Sequence, residues 1–140
     1  MTAAATAFGA ERLPILLIDD DELIARSLRD YLVAKGMRVD VAFDASSAAA
    51  LMTRSVYGAI VVDPYLTGSV HAEEGSLVST IRQLQPGSTI IVLTGYGTTA
   101  LLHAAATDDA TIVVAKPQPV PVLSELLHNI PIRKTSERSL

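Results

Sequence analysis

The stretch ILLIDDDE, residues Ile15–Glu22, decides how the chain is read: four apolar residues run without a break into three aspartates and a glutamate. A short, wholly apolar run predicts a strand buried on both faces, as in a parallel sheet covered by helices on each side. The carboxylates then stand beyond the strand's carboxyl end, where open α/β sheets bind their ligands. Leu23–Ala34 follows with helical spacing: Ile24, Leu28, Tyr31 and Leu32 share one face, while Arg26, Arg29 and Asp30 point away. Gly36 suits a left-handed cap on that helix.

The same alternation continues outward. Met37–Val41 (MRVDV) reads as a strand with one wetter face. Asp44 can cap a helix over Ala45–Arg54. Ala59–Val62 is a second wholly apolar run, Gly75–Leu84 is helical, and Pro86-Gly87 turns the chain. Thr89–Leu93 is rich in branched residues and reads as a buried strand. Thr98–Ala106 is helical, Thr111–Ala115 is a strand, and Val120–Asn129 is the last helix. Five strand–helix pairs with right-handed crossovers predict an α/β fold, a doubly wound (βα)5 three-layer sandwich. The expected domain covers 15–130, with a flexible leader over 1–14 and a flexible polar tail over 131–140.

Composition narrows the possibilities. A chain of 140 residues, 49% hydrophobic and 19% charged, is long enough for one domain with a proper core. It has no cysteine, which excludes disulfide scaffolds, thiolate metal sites and cysteine catalysis. A net charge of −4 disfavours a direct nucleic-acid surface. No apolar run approaches the roughly 20 residues of a membrane span. The N-terminus lacks the basic region of a signal peptide, so a cytoplasmic location is expected by elimination.

Polar residues stand at four of the five strand ends. Strand one runs into Asp19, Asp20 and Asp21, strand three into Asp63, strand four into Thr94 and Gly95, and strand five into Lys116 and Pro117. Strand two offers only Ala42 and Phe43. Asp21 fits a helix cap as well as a place in the cluster. Crowded carboxylates repel one another, and a cation relieves that repulsion. Hard oxygen donors without histidine suggest Mg²⁺, which keeps waters and takes phosphate oxygens. With a nucleophilic carboxylate, a hydroxyl and an ammonium nearby, these parts suit a phosphoryl group on Asp63.

LLIDDDE at Leu16–Glu22, VVD at Val61–Asp63, IIVLTG at Ile90–Gly95 and VVAKP at Val113–Pro117 together resemble the receiver domain of two-component response regulators. The resemblance covers about 15–129 and implies a flavodoxin-like parallel sheet of order 2-1-3-4-5. It implies that Asp63 is the phosphoacceptor, that Thr94 is the switch hydroxyl and that Lys116 pairs with the phosphate. Asp19, Asp20, Asp63 and the backbone carbonyl of Tyr65 would hold Mg²⁺, with Asp20 the more direct ligand of the first two. Pro117 would follow a cis Lys116–Pro117 bond. The phosphodonor would be a histidine kinase, a phosphotransfer protein or a small phosphodonor. Such a domain catalyses its own phosphorylation and dephosphorylation and has no separate metabolic substrate. Only eleven residues follow Asn129, so the expectation is a stand-alone receiver that signals through protein contacts. The fourth predicted helix, the fifth strand and the fifth helix would form the output face, including a possible homodimer contact, with Leu101, Leu102, His103 and Val122 among its residues.

Some positions depart from the family pattern. Pro64 directly follows the acceptor, and Thr67 stands where the family has its proline. Pro64 lacks an N–H to give a phosphoryl oxygen, a loss of about 1–2 kcal/mol where nothing replaces it. Thr67–Gly75, which contains His71, Glu73 and Glu74, is longer than the usual connection. Val113 replaces the switch aromatic. Tyr65 and Tyr96 place bulk where the family tunes water access. Pro64, Thr67, Val113 and the longer connection favour an alternative, a pseudo-receiver that binds proteins without being phosphorylated; the two tyrosines would slow hydrolysis of the aspartyl-phosphate. A haloacid-type phosphatase would want a general-acid aspartate at Tyr65, and a dinucleotide site would want glycines at 19–21. His103 and His128 read as surface residues.

Overall fold

The computed structural model describes residues 13–63, 74–94, 110–115 and 118–130. The elements are β1 (Ile15–Ile18), α1 (Glu22–Ala34), β2 (Val39–Ala42), α2 (Ala45–Arg54), β3 (Ala59–Val62), α3 (Glu74–Leu84), β4 (Thr89–Thr94), β5 (Thr111–Ala115) and α4 (Val120–His128). The five strands form one parallel sheet in the order β2-β1-β3-β4-β5. This is the doubly wound order that the family resemblance implies. The helix expected over Thr98–Ala106 lies outside the described residues, as do the tail and all of the leader except Leu13 and Pro14. Pro14 is already tied to the fold, since its carbonyl accepts from the Gly58 N–H at 2.9 Å.

Strand periodicity sorts the core into two layers. Leu16, Ile18, Ile60, Val62, Ile90 and Val92 pack with Ala48 and Met52 of α2 and with Val78 and Ile81 of α3. Their neighbours Ile15, Leu17, Ala59, Val61, Ile91 and Leu93 pack on the opposite face with Leu28 and Leu32 of α1 and Leu123 and Leu127 of α4. Apolar residues on both parities are what a sheet covered on both faces requires. Truncating one of them, such as Leu16, to alanine costs about 2–5 kcal/mol. Among the described residues no helix is long and apolar enough to cross a membrane.

Several boundaries differ from the sequence expectation, each for a local reason. Helix α1 begins at Glu22, because Asp21 is its N-cap and its side chain accepts from the Ile24 N–H at 3.1 Å. Ile24, expected on the core face, is 48% exposed. It lies in the helix's first turn and lines a cavity mouth instead of the closed core. Ala25 takes its place among the buried residues.

Met37 belongs to the end of α1 and not to β2. Its N–H donates to the Leu32 carbonyl at 3.1 Å, and the Gly36 N–H donates to that of Val33 at 2.9 Å. With Gly36 at φ +92°, this is a Schellman motif closed by apolar contact. The strand therefore starts two residues later, at Val39. Strand β4 runs one residue further than expected, to Thr94, which pairs with Ala115. Helix α3 starts one residue early, at Glu74, and α4 ends one residue early, at His128.

A buried polar network closes the amino-terminal edge of the sheet. Gln85 donates to the carbonyls of Met52 (2.9 Å) and Ser55 (2.8 Å) and accepts from the Tyr57 N–H (2.9 Å). The Tyr57 hydroxyl donates to Asp40 at 2.6 Å. Arg82 of α3 donates to the carbonyls of Ser88 (2.6 Å) and Ala110 (3.3 Å), which precede β4 and β5. These bonds hold the strands in register from below and leave the opposite edge to the carboxylates.

Candidate functional site

Register assembles the site. Ile18 pairs with both Ala42 and Val62, so the residue after each strand end lies beside its neighbour's. The parallel ladder extends one step beyond the strands: the Asp19 N–H donates to the Ala42 carbonyl at 3.1 Å, and the Asp63 N–H donates to that of Ile18 at 3.0 Å. Asp19 and Asp63 thereby stand side by side at the carboxyl edge. Both are buried, 7% and 8% exposed, while Asp20 is exposed. One carboxylate oxygen from each of Asp19, Asp20 and Asp63 lies within 4.8 Å of the other two.

Local bonds fix these positions. An Asp19 carboxylate oxygen accepts from the Asp21 N–H at 2.9 Å, which orients Asp19 against the start of α1. Asp21 serves as the N-cap of α1, and the converging carboxylates are those of Asp19, Asp20 and Asp63. Three convergent carboxylates, two of them buried, suit a hard divalent cation. Bonds of 2.0–2.1 Å place oxygens across a Mg²⁺ ion about 4 Å apart, and the ion keeps waters for positions that protein does not reach. The donor set, hard carboxylate oxygens only, therefore suits a cation such as Mg²⁺.

The remaining expected residues stand as follows. Thr94 closes β4, whose register with β5 sets it beside Ala115, the residue before Lys116. Lys116, Pro117 and Tyr65 lie outside the described residues, as do Pro64, Thr67, His71, Glu73, Tyr96 and His103. Val113 is half-buried against the layer that holds α2 and α3. His128 is exposed at the end of α4.

One polar residue enters that carries little sequence signal. A cavity of about 50 Å³ between α1 and α4 is lined by Asp19, Asp63 and Gln118, with Ile24, Val120 and Leu123 among its apolar walls. Gln118 follows directly after Lys116-Pro117, and that adjacency is the only hint to it in the sequence.

Comparison with known proteins agrees with this geometry. The family model described as "Response regulator receiver domain" matches residues 15–128. The photosynthetic apparatus regulatory protein RegA of Rhodovulum sulfidophilum is 31% identical over 106 residues, which is 74% of this chain and 55% of that protein. RegA of Rhodobacter capsulatus is 30% identical over 112 residues, 78% of this chain and 57% of that protein. The chain thus spans little more than half the length of these relatives.

Among solved structures, a CheY-like receiver domain protein from Methanospirillum hungatei superposes with a TM-score of 0.72 at 24% identity, covering 84% of this chain and 91% of that one. A response regulator from Burkholderia pseudomallei, solved with a phosphorylated aspartic acid, a calcium ion and citrate, gives a TM-score of 0.69 at 26% identity, covering 91% and 71%. Sheet order, carboxylate edge and a family match over most of the length converge: the chain belongs to the response regulator receiver domain family.

Proposed function

We propose that this receiver domain accepts a phosphoryl group on Asp63 in a Mg²⁺-dependent reaction and passes the signal on through protein–protein contacts. The observation that carries this is the convergence of Asp19, Asp20 and Asp63 oxygens within 4.8 Å at the carboxyl edge of the sheet. An Asp63 oxygen attacks the phosphorus of a phosphohistidine or a small phosphodonor. The new P–O bond forms as the donor's bond to phosphorus breaks, and the donor leaves with that electron pair.

Asp19, Asp20, Asp63 and the Tyr65 carbonyl would hold Mg²⁺, which supplies positive charge against the phosphoryl oxygens. The Thr94 hydroxyl donates to one phosphoryl oxygen and the Lys116 ammonium pairs with another. Water then returns the Asp63 carboxylate and releases inorganic phosphate. The Burkholderia relative, solved with a phosphorylated aspartic acid and a calcium ion, supports aspartyl phosphorylation beside a divalent cation as the reading here. The phosphoryl source is a histidine kinase or a phosphotransfer protein, and the output contact is the face around β5 and α4.

The test is intact mass after incubation with Mg²⁺ and acetyl phosphate or phosphoramidate, beside Asp63→Asn. The expected result is a gain of about 80 Da. It is absent from the variant and absent without Mg²⁺. A wild-type chain that gains nothing from either donor or from a histidine kinase is instead an unphosphorylated protein-binding module, the reading that Pro64 favours.

A further inference from the structure

The cavity between α1 and α4 has a mixed lining. Its walls are apolar, from Leu17, Ile24, Leu28, Val61 and Leu123 among others, while Asp19 and Asp63 bring two buried carboxylates to it. Gln118 is the one uncharged polar side chain among the lining residues described. It is half-buried and precedes α4 by two residues. Strand parity puts Asp19 and Asp63 on this side of the sheet, since both continue the rows of Leu17 and Val61 that face α1 and α4.

A carboxamide has properties that neither the aspartates nor the walls supply. Its two N–H groups can donate to carboxylate oxygens, and its oxygen can accept from water. It adds no further negative charge to three clustered acids. Mg²⁺ bound through few carboxylates keeps several waters, and each such water needs an acceptor. A cavity of about 50 Å³ has room for ordered water, which needs about 10–15 Å³ and two to four polar partners. Asp19, Asp63 and Gln118 provide three such partners.

We infer that Gln118 is a positioning residue for the metal site: across the cavity they share, its carboxamide braces Asp19 and Asp63 and would accept from a water that Mg²⁺ retains. This rests on the proposed Mg²⁺ site. Gln118 acts through the two carboxylates that it positions. Partners of this outer kind alter metal affinity by about 10–100-fold when removed.

The experiment is calorimetric Mg²⁺ titration of the full chain, with melting temperature measured without Mg²⁺ as a second readout. Gln118→Leu keeps the volume and removes both functions, and is expected to weaken Mg²⁺ binding about tenfold. Gln118→Glu restores an acceptor and adds a charge, and is expected to bind Mg²⁺ at least as tightly as wild type. A purely structural glutamine would lower the metal-free melting temperature in both variants and leave both Mg²⁺ affinities within twofold of wild type, which overturns the inference. Wild type that binds no Mg²⁺ removes the metal site itself, and the inference falls with it. Wild type and Gln118→Leu binding equally overturns only the role of Gln118.

Discussion

Asp63 is followed by a residue that cannot donate a backbone hydrogen bond, and the consequence belongs to that one atom. A phosphoryl group brings three acceptor oxygens to a buried carboxylate, 8% exposed, where each oxygen without a donor carries a desolvation cost. Pro64 withholds one N–H at the position next to the acyl phosphate. Pro64→Ala restores it, and is expected to raise the ratio of phosphorylated to free protein at fixed acetyl phosphate. A bond worth about 1–2 kcal/mol corresponds to roughly five- to thirtyfold in that ratio. Intact mass at steady state measures it, and an unchanged ratio would show that another donor already serves that oxygen. At this scale the sequence is legible wherever a residue closes an apolar run. Asp19, Asp20 and Asp63 stand out because charge after a buried strand needs a reason. Gln118 does not stand out, because a glutamine in a connection is ordinary until the cavity beneath it is seen.

Elements are held at the far edge by polar groups that no periodicity announces. Tyr57 lies between α2 and β3, where a turn residue would be expected, yet it is fully buried. Its hydroxyl donates at 2.6 Å to Asp40 of the edge strand β2, tying β3 to a strand two places away in the sheet. Burial first, then the hydrogen bond to Asp40 and the Asp40 charge, push the Tyr57 hydroxyl well above its ordinary value of 10. The neutral phenol is thus favoured by the folded state. Its contribution is fully present below about pH 10, where the unfolded tyrosine begins to ionise, and is lost as pH rises beyond it.

Tyr57→Phe is expected to lose about 1.5–3 kcal/mol at neutral pH, the range for a hydrogen bond to a charged group. Denaturant midpoints followed upward from pH 10 should fall more steeply in wild type, so the two curves converge. Parallel curves would mean that the hydroxyl contributes nothing to the fold. Helices and strands themselves are legible from periodicity, and their ends are not. Met37 looks like the first residue of a strand until the Gly36 cap claims its N–H. Arg82 looks like a solvated helix residue until the carbonyls before β4 and β5 converge on it.

For the whole molecule, strand order and register convert a linear pattern into a charge problem. Apolar runs and connecting helices make the layered sandwich readable, and the order 2-1-3-4-5 follows from family likeness. The sequence alone leaves open how close the carboxylates come, because that depends on Ile18 pairing in register with Val62. The result is three carboxylate oxygens within 4.8 Å in a protein whose net charge is already −4.

Folding brings these charges together, so the metal-free fold carries a repulsion that the unfolded chain lacks. On the proposed reading Mg²⁺ would relieve it and bind only the folded state. At a hundredfold excess over its dissociation constant, a ligand of this kind stabilises by about 2.7 kcal/mol. For a domain of this size that is a rise in melting temperature of about 8 °C. Asp20 is the exposed member of the three, so neutralising it tests the repulsion while leaving the buried pair Asp19 and Asp63 in place. Asp20→Asn is expected to melt higher than wild type without Mg²⁺ and to lose most of the Mg²⁺-induced rise, so the two proteins exchange order across a Mg²⁺ titration. NaCl at matched ionic strength should move wild type far less than MgCl₂, because screening acts weakly on the buried pair Asp19 and Asp63. A variant that melts lower in the absence of Mg²⁺ and rises as much as wild type in its presence would show that the three carboxylates do not act as one site.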